Sequence, residues 1–124
     1  MTVFPCLKIS SRDLLRFYQE AFGLRLVAVF PPEGEEVDHA QLRLGDGAIM
    51  CGTRGATEQP LGATLTYWVL PDAAAVDALY ARAIAAGATS VREPYVPDYG
   101  GRECGLADPD GNGWSFGTYA GEPG

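Results

Sequence analysis

The stretch that decides the fold reads Ala107-Asp108-Pro109-Asp110-Gly111-Asn112-Gly113-Trp114-Ser115-Phe116-Gly117-Thr118-Tyr119. Its first half predicts a tight reversal, because a residue before proline is held extended and the Asp-Gly-Asn-Gly segment tolerates positive φ. Its second half predicts a strand, since tryptophan, phenylalanine, threonine and tyrosine favour extended chain. The stretch therefore indicates a hairpin that joins residues 103–107 to residues 114–119.

The residues before this hairpin predict a strand, a helix and a second strand. The strands are expected at residues 63–70 and 89–92. Asp72 is expected to cap the helix between them, and Gly87 to end it. A loop over residues 93–101 then leads to the hairpin. The apolar stripe of the helix is expected to comprise Val76, Leu79, Tyr80, Ala83 and Ile84.

The first half of the chain has the same order of elements. Strands are expected at residues 3–9, 24–30, 37–44 and 48–52, and Gly45-Asp46-Gly47 predicts a hairpin turn. A helix is expected to start at Ser10-Ser11 with a serine cap and to end at Gly23. The order β-α-β-β-β therefore occurs twice, although the residue identities of the halves barely match.

A repeat unit that cannot bury its own core implies paired modules. We expect a single domain over residues 1–124, with module 1 at about 1–52, a linker at 53–62 and module 2 at about 63–120. The predicted fold class is α+β. Each module would form a four-stranded sheet backed by one helix, and the two free sheet faces would curve together into a cleft.

Composition excludes several classes of function. The chain has 124 residues and a net charge of −7, with a pI of about 4.5, so a nucleic-acid partner is not expected. The negative net charge favours a cationic ligand, although a requirement for solubility would by itself explain that charge. No apolar run approaches the roughly 20 residues of a membrane span. The N-terminus lacks the features of a signal peptide, so we expect a cytoplasmic protein.

The three cysteines, Cys6, Cys51 and Cys104, do not predict a disulfide framework. Their number is odd and none forms a C-x-x-C pair. Together with His39 they would make a Cys3His zinc site, but the usual local ligand pair is absent. The favoured interpretation is that each cysteine is a small buried hydrophobe in a strand.

This arrangement and its Asp-Pro-Asp-Gly-Asn-Gly-Trp-Ser-Phe-Gly-Thr-Tyr ending resemble the vicinal oxygen chelate superfamily. That superfamily includes glyoxalase I, extradiol dioxygenases, and fosfomycin and bleomycin resistance proteins. Further matches are residues 16–23, 39–47, 82–88 and 99–103. The resemblance is strongest to the glyoxalase or bleomycin resistance-like subgroup. It implies a homodimer in which each cleft is shared between modules of two chains.

The same resemblance implies where a divalent metal would bind. The histidine and glutamate ligands of the superfamily's metalloenzymes would fall within one residue of Phe4, at Met50, near Leu65 with Thr64 and Thr66 beside it, and at Ser115. These side chains are apolar or weakly ligating, whereas hard and borderline metals need oxygen and nitrogen donors. We therefore expect no metal and no cofactor.

Ten residues are predicted to line a ligand site, and no catalytic residue is assigned. An apolar floor with a few polar groups is typical of small-molecule sites. Phe4, Cys6 and Met50 would form the floor, and Phe30, Trp68 and Tyr99 would offer surfaces for stacking. The polar groups would be His39, Gln41, Glu103 and Ser115. For Phe30 and Trp68 the alternative is packing in the core.

The ionisable candidates also have two interpretations each. His39 alternates with core residues, so it would either bind the ligand or lie on a solvated sheet face. Glu103 would either hold a cationic group or be a surface carboxylate. Glu33, Glu35, Glu36 and Asp98 lie on loops near the cleft mouth, where they would steer cations or remain solvated.

The sequence thus predicts a small-molecule binding protein that sequesters an antibiotic or a related aromatic or cationic natural product without chemistry. The alternative is a glyoxalase-like lyase or isomerase that uses His39 or Glu103 as base, or a metal site outside the positions above. A third is a scaffold whose cleft is not used. No Ser-His-Asp arrangement or phosphate-binding glycine loop is present.

Overall fold

The computed structural model describes residues 1–53 and 59–124, and the predicted order of elements is confirmed in both halves. Of the predicted linker, residues 54–58 lie outside the described residues. No helix in the described ranges is long and apolar enough to cross a membrane. The first half contains β1 (Cys6–Lys8), α1 (Asp13–Phe22), β2 (Arg25–Phe30), β3 (His39–Leu44) and β4 (Gly47–Gly52). The second contains β5 (Leu65–Val69), α2 (Ala73–Ala85), β6 (Thr89–Tyr95), β7 (Glu103–Ala107) and β8 (Gly113–Gly117).

The strands form two four-stranded sheets with the same topology. The first sheet has the order β1-β4-β3-β2, and the second has the order β5-β8-β7-β6. In each, the opening strand runs parallel to the last strand of its module, and the other neighbours are antiparallel. This equivalence confirms the α+β class and the repeated unit.

One face of each sheet is covered by helix, and we call the other its open face. Along β5, buried Thr66 and Trp68 alternate with exposed Leu65, Tyr67 and Val69, as strand geometry requires when one side faces a core. Helix α1 also buries one face, whose residues recur with a 3.6-residue period. Its buried residues are Leu14, Leu15, Tyr18, Ala21 and Phe22.

The aromatic core joins the two modules. Trp114 of β8 is fully buried. Its ring lies 4.6 Å from that of Phe22 and 4.7 Å from that of Tyr18, both on α1, and 5.6 Å from that of Trp68. A helix of module 1 therefore packs against a strand of module 2. As expected, Phe116 is also buried in this core.

The β7–β8 turn is anchored by the buried carboxylate of Asp108. Its Oδ2 atom accepts hydrogen bonds from the Tyr18 hydroxyl at 2.7 Å and from the Trp114 indole at 3.0 Å. Its Oδ1 atom accepts from the backbone N–H groups of Asp110 and Asn112 at 2.9 and 3.0 Å. Burial and the neighbouring Asp108 raise the pKa of Tyr18. The stretch that identifies the fold thus also holds α1 in place.

Three of the four predicted helix ends are confirmed, including Gly87, which follows the C-cap Ala86 of α2 with φ of 106°. Gly23 follows α1 with φ of 72°, and Asp72 caps α2 by accepting from Ala75 N–H at 2.8 Å. The predicted serine cap of α1 is displaced by one residue: Arg12 occupies the N-cap position without a side-chain cap bond, and the hydroxyl of Ser11 accepts from the Asp13 backbone N–H at 3.2 Å. Ser10 instead donates its hydroxyl and its backbone N–H to Asp110, at 2.6 and 2.7 Å.

Strand β6 is longer than predicted, and the stripe of α2 is narrower. β6 extends to Tyr95 through Glu93 and Pro94, which the sequence placed in a loop. Proline is tolerated here because β6 is an edge strand, and its pairing with β7 shifts register twice. On α2, Ile84 is 39% exposed rather than part of the core. The extension of β6 is what brings Tyr95 onto the second sheet.

Candidate functional site

The open face of the first sheet carries six of the ten predicted site residues. Cys6, Met50 and Gln41 are direct neighbours across β1, β4 and β3, and Phe30 pairs with His39 across β2 and β3. Phe4 precedes β1 and is half-buried. Phe30 is 61% exposed, so the alternative that placed it in the core is wrong.

The loop beside Phe30 is held by Arg12. Its guanidinium donates to the carbonyls of Pro31, Gly34 and Glu36, and a longer bond of 3.3 Å reaches Pro32. This one side chain satisfies several backbone acceptors in a segment without regular structure. The acidic loop and the adjacent end of β2 are therefore fixed relative to α1.

Trp68 does not belong to either open face. Its side chain is 6% exposed and stacks on Trp114 in the core, and its indole N–H donates to Thr66 at 2.8 Å. The prediction that Trp68 offers a stacking surface to a ligand is wrong. Trp68 and Tyr67 are consecutive strand residues, so only one of them can face the core. The open face receives Tyr67.

The open face of the second sheet is built around Glu103. The hydroxyls of Tyr95 and Tyr99 both donate to its Oε2 atom, at 2.8 and 2.9 Å. These bonds to a carboxylate favour the neutral hydroxyls and raise the pKa of both tyrosines, that of Tyr99 to about 12. Of the predicted residues, Glu103, Tyr99 and Ser115 come together here.

Two further tyrosines extend this surface. The Tyr67 hydroxyl donates to the Tyr119 carbonyl at 2.9 Å, and the rings of Tyr99 and Tyr119 lie 5.2 Å apart. Tyr67 lies across Gly117, where an added Cβ would come within 2.5 Å of the tyrosine hydroxyl oxygen. Only a glycine in β8 leaves room for the ring to lie flat on the sheet. The result is a carboxylate among four aromatic rings.

A cavity of about 200 Å³ lies next to Glu103. Its floor includes Gly105 and Ser115, which are paired across β7 and β8, and Val91, Arg92 and Tyr95 also line it. Small-molecule sites are commonly about 300–1,000 Å³. The cavity on the second sheet alone is therefore smaller than a typical small-molecule site.

Sequence reasoning missed Arg92, Tyr95 and Tyr67. The predicted strand ended at Arg92, which put Tyr95 in a loop, although β6 in fact continues. Tyr67 could have been found from alternation with the buried residues of β5. Tyr95, Tyr99 and Glu103 lie within nine residues of sequence, but the convergence of the two hydroxyls on Glu103 depends on how β6 pairs with β7, which the sequence pattern does not indicate.

Residues 11–116 match the family model described as Glyoxalase/Bleomycin resistance protein/Dioxygenase superfamily. The chain belongs to this superfamily. It is similar to an uncharacterized protein of Mycobacterium bovis, with 36% identity over 112 residues that cover 82% of this chain and 71% of that protein. The chain spans between 64% and 71% of the length of the mycobacterial relatives it matches.

Two solved structures of the superfamily illustrate the shared fold. TioX from Micromonospora sp. ML1 has a TM-score of 0.75 and 25% identity, with complete coverage of both chains. A glyoxalase-related enzyme from Fulvimarina pelagi has a TM-score of 0.72 and 23% identity, covering 94% of this chain and 86% of that one. Binding proteins and enzymes share this superfamily, so its fold does not distinguish them.

The four side chains that the resemblance places at metal-ligand positions are a poor ligand set for a divalent metal. Phe4, Met50 and Leu65 supply no nitrogen or oxygen donor, and Ser115 supplies only a hydroxyl. Within residues 1–53 and 59–124, no three His, Cys, Asp or Glu side chains are grouped as metal ligands would be. No chemical step through a metal is derived from these residues.

The cysteines differ in a way that native labelling can measure. Cys6 is exposed, whereas Cys51 and Cys104 are buried, and burial raises the pKa of these two thiols to about 12 and 11. Only the thiolate reacts with iodoacetamide, so at pH 8 we expect alkylation of Cys6 alone. Mass spectrometry would locate it, with unfolded protein labelled at all three sites. Native labelling of Cys51 or Cys104, or labelling of folded Cys6→Ser, would contradict this arrangement.

Proposed function

We propose that this protein binds a small aromatic or cationic molecule on the open face of the second sheet and retains it unchanged. In this proposal it sequesters an antibiotic or related natural product, as a bleomycin resistance-like protein would. The observation that carries it is the Glu103 carboxylate, held by two tyrosine hydroxyls on an exposed aromatic surface.

The hydrogen bonds at Glu103 favour a binding role. Both tyrosines donate to Oε2, and no hydrogen bond from the described residues reaches Oε1. The carboxylate is therefore fixed in position while one oxygen stays available to an ammonium group. The faces of the surrounding tyrosine rings attract cations through their quadrupoles. The net charge of −7 adds attraction at longer range.

The proposal includes a homodimer that closes the site. Both open faces expose large apolar side chains: Phe30 is 61% exposed on the first sheet, and Leu65 and Val69 are 72% and 53% exposed on the second. Strands β1 to β4 contain Lys8, Arg25 and Arg43 but no aspartate or glutamate, which complements Glu103. We propose that the first sheet of one copy covers the second sheet of another. Analytical ultracentrifugation tests this, and a monomer at micromolar concentration would exclude it.

A glyoxalase-like lyase or isomerase is the second candidate function. It is favoured by one observation, namely that Glu103 lies beside a cavity whose floor contains Ser115. In that case Glu103 would act as a general base. Turnover of an adduct between a small thiol and a diketone would establish this function, and tightly bound stoichiometric metal in the purified protein would also support it.

Replacing Glu103 with glutamine tests the binding proposal with tryptamine as an aromatic cation and indole as its neutral counterpart. We expect Glu103→Gln to weaken tryptamine about tenfold, because a charge-assisted hydrogen bond is lost, and to change indole less than twofold. Nuclear magnetic resonance titration of labelled protein measures both. Glu20→Gln, on the exposed side of α1, is the charge-matched control.

Equal weakening of tryptamine and indole would show that Glu103 only supports the surface, and unchanged tryptamine binding would exclude its role as cation receptor. A panel of bleomycin-type compounds, aromatic peptides and polyketides then identifies the class of natural product.

A further inference from the structure

Arg92 has an unusual environment on the open face of the second sheet. Its guanidinium carbon lies 3.5 Å from the centroid of the Tyr95 ring. Its side chain makes no hydrogen bond or ion pair with any residue in the described ranges 1–53 and 59–124. An arginine has five N–H donors in a planar fork. Here the fork is placed by stacking, and its donors have no partner among the described residues.

Tyr95 connects this guanidinium to Glu103. The face of its ring holds Arg92, and its hydroxyl donates to the Glu103 carboxylate at 2.8 Å. The two charged groups line the same cavity but form no ion pair with each other. One tyrosine therefore keeps a fixed cation and a fixed anion apart, with an uncharged floor of Gly105 and Ser115 beside them.

We propose that Arg92 and Glu103 form a two-point receptor for a zwitterionic aromatic ligand. This rests on the proposed function and adds to it the chemical class of the ligand. Arg92 binds a carboxylate through two parallel N–H groups, which is the geometry a guanidinium favours. Glu103 binds the ammonium group, and the aromatic part of the ligand lies against the tyrosine rings.

Asp98 is a second acidic group near this arginine. It lies on the loop that follows β6 and lines a second cavity together with Arg92, Tyr95 and Tyr99. It is exposed and forms no ion pair with Arg92. It therefore leaves the guanidinium free, while making the surroundings unfavourable for an anion that lacks a positive group of its own. A zwitterion has both the carboxylate that Arg92 binds and the positive group that the acidic surroundings favour.

Three probes that share one ring system test the receptor: tryptophan, tryptamine without the carboxylate, and indole-3-propionate without the ammonium. We expect wild type to bind tryptophan about fivefold more tightly than tryptamine, because the pair between the tryptophan carboxylate and Arg92 is screened by solvent and adds only this much affinity. Arg92→Gln should abolish that preference and leave tryptamine within twofold. Arg92→Lys should keep part of it, since the charge remains and the fork is lost. Arg16→Gln on α1 is the charge-matched control and should change nothing.

The outcomes separate the two proposals. If tryptamine binds in a Glu103-dependent way but tryptophan binds no tighter, the two-point receptor is wrong and the proposed function stands. If Arg92→Gln weakens tryptophan and tryptamine equally, Arg92 supports the surface and the receptor is again wrong. If tryptamine does not bind, or binds without regard to Glu103→Gln, the proposed cation site fails and the receptor with it.

Discussion

Replacing Asp108 with alanine is expected to lower the free energy of unfolding by about 3–5 kcal/mol. The substitution leaves the buried Tyr18 hydroxyl, the Trp114 indole and two backbone N–H groups of the turn without their acceptor. A buried donor that loses its partner keeps its full desolvation cost. Urea denaturation of wild type and variant, followed by circular dichroism, measures the difference.

Two variants make the Asp108 result interpretable. Tyr18→Phe removes one donor and leaves the other donors bonded to Asp108. It should therefore lower the free energy of unfolding by only about 1 kcal/mol. Asp110→Ala removes a carboxylate from the same turn whose bonds to Ser10 are exposed, and it should cost no more than that. A loss below about 1 kcal/mol for Asp108→Ala would mean that the network does not stabilise the fold.

Replacing Trp114 with alanine is expected to cost about 4 kcal/mol of unfolding free energy. The indole is fully buried and contacts rings from α1 and β5, so its removal leaves a cavity where the two modules meet. Tyr119→Ala removes a ring that is 41% exposed and should cost less than about 1 kcal/mol. Similar losses for the two variants, at equal denaturant m-values, would contradict a core centred on Trp114.

The order of elements was predictable because it rests on local signals. Gly23 and Asp72 act through backbone conformation and capping within a few residues, and alternation assigns the faces of β3 and β5. The contacts of Ser10 were not predictable, because its partner Asp110 lies 100 residues further along the chain. Ile84 fits the helical stripe by spacing, but its side chain is 39% exposed.

The candidate site was predictable only in part, for the same physical reason. Glu103 and Ser115 follow from their parity in β7 and β8, and His39 and Met50 from theirs in the first sheet. The pairing of Tyr95 and Tyr99 on Glu103 depends on how far β6 continues past Pro94, which pairing with β7 decides. The guanidinium of Arg92 is placed by the ring of Tyr95, three residues further along β6. The pairing of β6 with β7 shifts register between these two residues.

The hydrogen bond between Tyr18 and Asp108 spans 90 residues of sequence, and this separation has a consequence for synthesis. Ribosomes add about 5–20 residues per second, so α1 emerges roughly 5–20 s before the turn that anchors it. During that interval Tyr18 and Phe22 have no Trp114 to pack against. Stable closure of the aromatic core must therefore wait until the last hairpin has been translated.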